Sequence, residues 1–381
     1  MTLTNSDIVE LTDFRHALHR QPELSNEEAE TAKAILAFIA PTKPDEVLTG
    51  LGGHGVAAIF NGAVSGPTVL IRSETDALPI HEVSDNPWAS TVPGKAHSCG
   101  HDGHSTILTG LARLLGRQRP ARGRVVLLFQ PAEETGDGAA GVIADPRFAD
   151  IKPDYSFSLH NMPGLPLGFA ALADGPMACA SRGLRIALTG RTSHSSMPQD
   201  GVSPMAAVAK LMPALAALAP VGPLSEDFKL VTITHAEMGE QVFGVSPGYA
   251  EIWVTLRTMR DDRMAALCEA AEALAREVAA DEKLDIAMDY HEIFRHCDNH
   301  PEANAIFRQA FDDEKIPHGV GAPMRASEDF GLFGDVSKSA MFHFGSGERS
   351  PQLHNPDFDF PDALIAPGVR IFMRVIRNML G

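Results

Sequence analysis

The chain has 381 residues, which is more than one hydrophobic core usually serves, so two domains are expected. A formal net charge of −17, with no long run of Lys and Arg residues, argues against nucleic acid as a partner. No apolar stretch reaches the roughly 18 residues that a membrane span requires, and no basic segment followed by an apolar run opens the chain. We therefore predict a cytoplasmic protein without a membrane partner. The four cysteines are dispersed without a CxxC pair, which predicts neither a disulfide framework nor a zinc ribbon.

Helical patterns come first in the chain. Apolar residues at helical spacing predict one helix from Ile8 to Leu18 and a second helix over residues 27–39. Ser25 is followed by Glu28, and this spacing predicts a capping box at the start of the second helix.

Strand and helix patterns then alternate. The short apolar runs "GVAAIF" and "TVLIRSETDAL" predict strands over residues 55–60 and 68–78. A helix over about 105–115 is predicted before the strand "RVVLLF", which ends at Gln130. This alternation predicts an α/β fold with a mixed sheet covered by helices.

The order of predicted helices and strands changes in the middle of the chain. Residues 182–290 show the order βαββαβ, which is typical of a ferredoxin-like α+β unit. Mixed α/β patterns resume after it. We therefore predict an inserted domain over residues 182–291 and a discontinuous domain made of residues 1–181 and 292–381.

Four short segments at strand ends or in loops concentrate the side chains that bind metals. They are "HSCGHDGH" (97–104), "QPAEETGDGA" (130–139), "SLHNMPG" (158–164) and "PQLHNPDFDF" (351–360). Sites in open α/β sheets lie outside the carboxyl ends of strands, and a mixture of thiolate, imidazole and carboxylate suits zinc or another first-row divalent ion. The candidate ligands are Cys99, His101, Glu134, His160 and His354.

Taken singly, most of these residues have a more ordinary interpretation. A lone cysteine is usually a small buried hydrophobe, and a lone loop histidine is usually a surface or hydrogen-bonded residue. Glu133 and Glu134 would by default be solvated acids at a helix N-terminus, yet two adjacent carboxylates can also divide metal binding and proton transfer between them. Asp76 either orients a ligand imidazole or is a turn residue, and His194 is either a loop residue or a donor to an oxyanion.

Eight segments in order carry a further signal: "FRHALHRQPELSNEE", "SETDALPI", "HSCGHDGHST", "QPAEETGDGA", "SLHNMPG", "GRTSHSSMPQDGVSP", "ASEDFG" and "LHNPDFDF". Together they resemble, nearly end to end, the amidohydrolase branch of the metallopeptidase family. That branch includes hippurate hydrolase, N-acyl-amino-acid amidohydrolase and the indole-acetyl-amino-acid hydrolases. "CGHDGH" with "QPAEE" is the most specific pair. The resemblance implies a catalytic domain with a two-metal centre and an inserted lid domain that mediates dimerisation.

The resemblance also implies a role for each matching residue. The ligands would be Cys99, His101, Glu134, His160 and His354. They would hold a divalent metal, two ions per subunit, with Zn, Mn, Co and Ni as candidates. Glu133 would be the general base, His194 would stabilise the oxyanion and Asp76 would be a third residue of the catalytic group. Arg257 and Gly244 stand at substrate-binding positions. The implied partners are a small N-acyl substrate and a further copy of the chain, in a homodimer or tetramer formed through the inserted domain.

Two positions depart from the pattern of the relatives. Glu74 stands where di-zinc exopeptidases have a ligand histidine. Gly244, in "FGVSP", stands where many relatives have an asparagine that helps to hold the carboxylate of the substrate. The usual preference for a free carboxylate is therefore open, and an atypical N-acyl compound is an alternative substrate.

The favoured hypothesis is a metal-dependent amidohydrolase that splits the amide bond of a small N-acyl amino acid or a related compound with an activated water. Two alternatives come from other classes. One is a catalytically silent relative that binds or regulates, and the other is a hydrolase with Cys99 as its nucleophile. Metal dependence separates them, because only the first requires a bound cation for turnover.

Overall fold

Two groups of chain segments pack within themselves in the computed structural model, which describes residues 2–381. The first, unit 1, runs to Met177 and resumes with Cys297–Ala322 and Asp329–Gly381. The second, unit 2, comprises Ala178–His296 and Pro323–Glu328. The domain bounds at residues 182 and 291 stay a prediction.

The first part of unit 1 alternates helices with strands. Its helices are α1 (Asn5–Arg20), α2 (Ala29–Ile39), α3 (His101–Arg117), α4 (Gly138–Ala144) and α5 (Phe148–Ile151). Its strands are β1 (Glu46–Leu51), β2 (Gly55–Asn61), β3 (Val64–Glu74), β4 (Arg122–Gln130), β5 (Tyr155–Pro163), β6 (Ala170–Leu172) and β7 (Gly175–Ala178).

Unit 2 has the predicted βαββαβ order, with two very short strands added. Its elements are β8 (Ala180–Thr189), β9 (Ser193–His194), α6 (Met205–Leu218), β10 (Lys229–Met238), β11 (Val245–Ser246), β12 (Tyr249–Thr258), α7 (Asp261–Asp281) and β13 (Asp285–Phe294). The four long strands form an antiparallel sheet in the order β10-β12-β8-β13. Buried side chains of α6 and α7 share one apolar core with this sheet.

The last part of the chain returns to unit 1. Its elements are β14 (Cys297–Asn299), α8 (Pro301–Glu314), β15 (His318–Val320), β16 (Lys338–Gly347) and α9 (Ile365–Leu380). The main sheet of unit 1 has the order β1-β2-β4-β3-β5-β16-β6-β15. Strands β4, β3, β5 and β16 run parallel, whereas β1 with β2 and β2 with β4 are antiparallel. The prediction of a mixed sheet flanked by helices is confirmed.

The central strands of this sheet are buried on both faces. In β2 every residue but the last is buried, and the second half of β4 is continuously buried. Such strands have apolar residues in succession instead of in alternation, which is why "GVAAIF" and "VVLLF" mark the middle of the sheet. Helices α1, α3, α8 and α9 contribute to the same core. No helix within residues 2–381 is both long enough and apolar enough to cross a membrane.

Helix α3 begins at His101, earlier than the predicted start near residue 105. Gly100 precedes it with φ 93°, in the left-handed region, and a Cβ atom there would lie 2.2 Å from Oδ1 of Asn161. Glycine is therefore required at this position, both for its conformation and for its lack of a side chain. The consequence is that His101 lies in the first turn of a helix and not in a loop.

The predicted capping box at Ser25 and Glu28 is wrong. Helix α2 begins at Ala29 and has no side-chain cap. The carboxylate of Glu28 accepts hydrogen bonds from the backbone N–H groups of Asn26 (3.0 Å) and Ala132 (2.8 Å). Ser25 instead donates its hydroxyl to Asp76 at 2.7 Å. Ser25 thus bonds to a residue far away in sequence, Asp76, and not to the backbone of Glu28 as the capping box requires.

Candidate metal centre

The parallel arrangement of β3, β4 and β5 brings three of the predicted segments to one edge of the sheet. Asp76 follows β3, Glu133 and Glu134 follow β4, and His160 lies in the last half of β5. Because the strands are parallel, their carboxyl ends meet. The turn that precedes α3 supplies Cys99 at the same edge.

Cys99, His101 and His160 converge in the buried interior. Their potential ligand atoms all lie within 4.8 Å of one another. The Sγ atom of Cys99 is 3.4 Å from Nε2 of His160. A thiol and two imidazoles that face one small volume form a donor set that zinc and related ions accept.

A second group overlaps with the first. The ligand atoms of Cys99, Glu134 and His354 also lie within 4.8 Å of one another. Nε2 of His354 is 3.5 Å from Oε2 of Glu134, and Nε2 of His101 is 3.8 Å from Oε1 of Glu134. The five residues predicted as ligands are thus brought together, with Cys99 in both groups. His354 lies at the exposed side of the cluster, and the other four residues lie deeper.

The orientation of His101 is that of a metal-ligating histidine. Its Nδ1 contacts the backbone carbonyl of Asp76 (2.9 Å) and the Oδ1 atom of Asp76 (3.2 Å). Its Nε2 is buried and has no hydrogen-bond partner among residues 2–381. A second hydrogen bond that fixes one ring nitrogen while the other faces the metal is the usual arrangement. Asp76 also accepts from Ser25 and from the N–H of Glu134 (2.9 Å), so it lies behind the ligands.

Burial and charge set the protonation of the cluster. Burial, together with the carboxylates of Glu134 and Glu133, raises the pKa of Cys99 well above its usual value. Burial and the nearby ring of His104 lower the pKa of His160 well below its usual value. His101 differs: burial opposes its charge, but Asp76 outweighs burial and raises the pKa of His101 to about 10. The cluster therefore concentrates groups that a divalent cation would deprotonate or bind in their neutral form.

Glu133 is buried directly after β4, and its Oε2 atom lies 4.0 Å from Nε2 of His101. Its ligand atom and those of His101 and Glu134 lie within 4.8 Å of one another. A carboxylate in this position lies beside the cluster of ligand atoms, where a general base for hydrolysis would be placed.

Sequence reasoning missed the network that surrounds Glu74. This fully buried carboxylate contacts the guanidinium of Arg72 and Nδ1 of His104 (2.7 Å). Burial opposes its ionisation, but Arg72 and His104 hold the pKa of Glu74 well below its usual value. Nε2 of His104 accepts the N–H of Asn161 at 3.2 Å, so both ring nitrogens of His104 have partners within the protein. The sequence did contain a signal for this network: Arg72 and Glu74 lie two residues apart in a predicted strand that also carries the apolar run "VLI", and this spacing indicates a buried ion pair.

The remaining predicted residues lie in unit 2. His194 is exposed on β9, which pairs with β11, and Nδ1 of His194 accepts the N–H of Ser196 at 3.2 Å. The carbonyl of Gly244 accepts the N–H of Ser195, so Gly244 is next to this histidine. A Cβ atom on Gly244 would meet nothing within 4 Å. Arg257 lies near the far end of β12 and donates to Ser327 and to the carbonyl of Arg325.

The chain is similar to known proteins in its sequence and in its fold. The model of the family described as peptidase family M20/M25/M40 matches residues 70–378. A hippurate hydrolase from Campylobacter jejuni is 29% identical over 376 residues, which cover 97% of each chain. An N-acetyl-L-cysteine deacetylase from Bacillus subtilis is 30% identical over 359 residues, which cover 93% of this chain and 85% of the relative. A crystal structure from Bacillus subtilis, described as a dinuclear metal-binding peptidase of the M20 family, superposes with a TM-score of 0.81 at 26% identity and covers 99% of both chains.

Proposed function

Because the chain belongs to peptidase family M20/M25/M40 and is a metal-dependent amidohydrolase, we propose that it hydrolyses the amide bond of a small N-acyl amino acid or a related N-acyl compound. The main support for the proposal is Nε2 of His101, which is buried without a hydrogen-bond partner among the described residues. This atom lies near the thiol of Cys99, the imidazole of His160 and the carboxylates of Glu133 and Glu134. Such a nitrogen is costly to bury unless a ligand satisfies it.

The proposed ligands hold two divalent ions per subunit, with zinc, manganese, cobalt and nickel as candidates. They are Cys99, His101, Glu134, His160 and His354. Thiolate and imidazole favour these borderline ions over magnesium and calcium, which prefer oxygen ligands. When bound, the ions polarise the amide carbonyl and lower the pKa of water from about 15.7 towards about 7.

Glu133 is the proposed proton carrier. An amide nitrogen is a poor leaving group until it is protonated, so hydrolysis needs one group that accepts a proton and later gives it up. The carboxylate of Glu133 accepts the proton of the attacking water. It then delivers this proton to the amide nitrogen as the C–N bond breaks. Asp76 keeps the imidazole of His101 in place through both steps.

Unit 2 supplies the proposed contacts with the substrate. Nε2 of His194 donates to the oxygen on which negative charge develops, while Nδ1 is held by Ser196. Gly244 and Arg257 are the other proposed substrate-binding residues, and Gly244 stands at the position where relatives hold the carboxylate of the substrate. Unit 2 also supports the proposal of a homodimer or tetramer, because β10 is an edge strand of its sheet, and edge strands can pair with a strand of another chain.

The test is hydrolysis of N-acetyl, N-benzoyl and indole-acyl amino acids, with and without a free carboxylate, by the metal-loaded protein. We expect turnover that chelation abolishes and that Mn²⁺, Zn²⁺ or Co²⁺ restores. Inactivation by thiol alkylation while metal remains bound would instead support Cys99 as a nucleophile. The raised pKa of Cys99 argues against that reading, because the thiolate is the nucleophilic form.

A further inference from the structure

The segment "FRHALHRQPELS" (14–25) carries part of the family resemblance, yet its charged residues have no place in the proposed reaction. Arg15 in α1 is completely buried. Buried guanidinium groups are rare and require compensating partners. The partners of Arg15 therefore indicate what this residue does.

Arg15 joins two segments that carry proposed ligands. Its Nη1 donates to Asp102 at 2.9 Å and to Asp359 at 2.8 Å, and its Nε donates to Asp362. Asp102 directly follows His101 in the first turn of α3. Asp359 and Asp362 follow His354 in the same stretch of chain. One guanidinium thus links the start of α3 to the segment after β16.

The segment around His354 contains neither α-helix nor β-strand, so contacts with other segments, together with the buried side chains of Phe358 and Phe360, hold it in place. His354 itself has φ 65°, in the left-handed region that residues other than glycine rarely adopt. Its N–H donates to the carbonyl of Ser98 at 2.8 Å, one residue before Cys99. Farther along, Asp359 also accepts from Trp88 at 3.0 Å and from Asn86 at 3.1 Å.

His19 lies one helical turn after Arg15 and adds a second cation. Its Nδ1 contacts Asp102 at 2.8 Å, and its Nε2 contacts Glu82 at 3.3 Å. Arg15 and His19 thus lie among four carboxylates, those of Asp102, Glu82, Asp359 and Asp362, and His16 also contacts Asp362 at 2.9 Å. Without Arg15, Asp362 would lose its contact with a guanidinium, and the imidazole of His19, 2.8 Å from Asp102 and 3.8 Å from Asp359, would be left to offset the repulsion between those two acids.

We propose that Arg15 is a positioning residue for the metal centre, which holds the segment after His354 against the start of α3 and so keeps the imidazole of His354 beside Cys99. This proposal rests on the proposed function, because His354 is a ligand there. Arg15 has no hydrogen bond to a proposed ligand side chain, so its influence passes through the backbone that follows His354.

The experiment measures metal affinity by competition with a chromophoric chelator, using Co²⁺ and Zn²⁺. We expect Arg15→Met to weaken the binding of one ion by about 10–100-fold, as removal of residues behind metal ligands does. His354→Ala should weaken the same step. In the double variant the two losses should coincide and not add, leaving at most about a twofold further change. An unchanged affinity in Arg15→Met, or two losses that add in full, would overturn the proposal.

The same data separate this proposal from the one on which it rests. An unchanged affinity in His354→Ala would show that the proposed ligand set is wrong. A normal affinity in Arg15→Met alone would show that only the positioning role is wrong. If Arg15→Met does not fold, Asp359→Asn removes one charge from the tether at similar volume, and a weaker metal affinity is expected again.

Asp7→Asn is the matched control. Asp7 also joins α1 to α3, through Arg113 (3.0 Å) and Arg117, at the other end of the two helices and away from the ligand segments. This variant should lose stability but keep metal affinity within about twofold of the wild type. A loss of affinity as large as that of Arg15→Met would mean general loosening of α1, and the positioning role would fall.

Discussion

Cys99 and His101 are both in their protonated forms at neutral pH, for different reasons. Burial and nearby carboxylates keep the Cys99 thiol protonated at neutral pH, whereas Asp76 keeps His101 protonated by raising its pKa to about 10. A metal ion needs the thiolate of one and the neutral imidazole of the other. As proposed ligands, both residues would therefore lose a proton when the ions bind.

We expect metal loading at pH 7 to release about two protons, one from each of these residues, and metal affinity to rise with pH. Calorimetric titration in buffers with different heats of ionisation measures the release. In Cys99→Ser the release should fall by about one proton. Heats that do not depend on the buffer would contradict the assignment.

Glu133 and Glu134 are adjacent in sequence but separate in proposed role. Glu133→Gln should retain both metals and lower kcat by about 10²–10⁴-fold, because the proton carrier is lost while the ligands remain. Glu134→Gln should lower metal content as well. Metal content and turnover, measured on the same preparations, distinguish the proton carrier from the metal ligand. Equal metal loss in the two variants would contradict the division of roles.

Gly244 leaves open space beside His194, so a side chain can be added there without a clash. If the asparagine found in relatives holds the carboxylate of the substrate, Gly244→Asn should lower KM for N-acyl amino acids by about tenfold, the effect of one hydrogen bond to a charged group. The matched N-acyl amino amides, which lack that charge, should be unaffected. Equal changes for both substrate series would count against the assignment.

At the scale of elements, α1 and α3 meet over a buried ion cluster. Burial opposes the charge of His19, but Asp102 and Glu82 outweigh it and raise the pKa of His19 to about 10. An unfolded histidine has a pKa of about 6.5. The resulting stabilisation is complete below about pH 6.5 and is lost as the pH rises towards 10, at up to about 1.4 kcal/mol per pH unit.

His19→Gln should therefore be less stable than the wild type at pH 6.5, and the difference should shrink towards pH 10. Urea midpoints measured with chelator present across this range test the sign, because the other titrating groups are common to both proteins. Midpoint curves that stay parallel would show that His19 is not charged in the folded state.

The start of α3 shows where local patterns fail. Residues 97–104 are polar, and polar residues flanked by glycines indicate a loop, so the helix was predicted to begin only near residue 105. The polar residues His101, Asp102 and His104 lie in the helix, and their side chains contact Asp76, Arg15 and Glu74 from other segments. The prediction of a capping box was wrong for a related reason. The hydroxyl of Ser25 donates to Asp76, just after the end of β3, and not to the start of α2.

At the scale of the whole molecule, much of the fold followed from periodicity and motif order. Buried strands marked the sheet, and the rule that sites lie at strand carboxyl ends grouped the ligand segments. The ion networks could not be predicted. Arg72 with Asp329 and Arg15 with Asp359 are hundreds of residues apart in sequence, and no local pattern encodes which buried charges meet.

All five proposed ligands belong to unit 1. Metal should therefore stabilise the melting transition of unit 1, by about 2.7 kcal/mol at a free concentration 100 times Kd, and chelator should remove that gain. Calorimetry with and without EDTA measures the shift. Hydrogen exchange of β10 and β12 is the internal control, because unit 2 should be unaffected. An equal loss of protection in both units would contradict this expectation.

The order of strands in the main sheet also bears on how the protein is made. Strand β16 lies between β5 and β6, although about 165 residues of chain separate it from them. During synthesis on a ribosome, the main sheet therefore stays incomplete between β5 and β6 until unit 2 and then β16 have been made. His354 emerges later still. With His354 as a proposed ligand, the full proposed centre can bind metal only when nearly the whole chain has been made, and a message truncated before codon 354 would yield a protein that lacks one of the five proposed ligands.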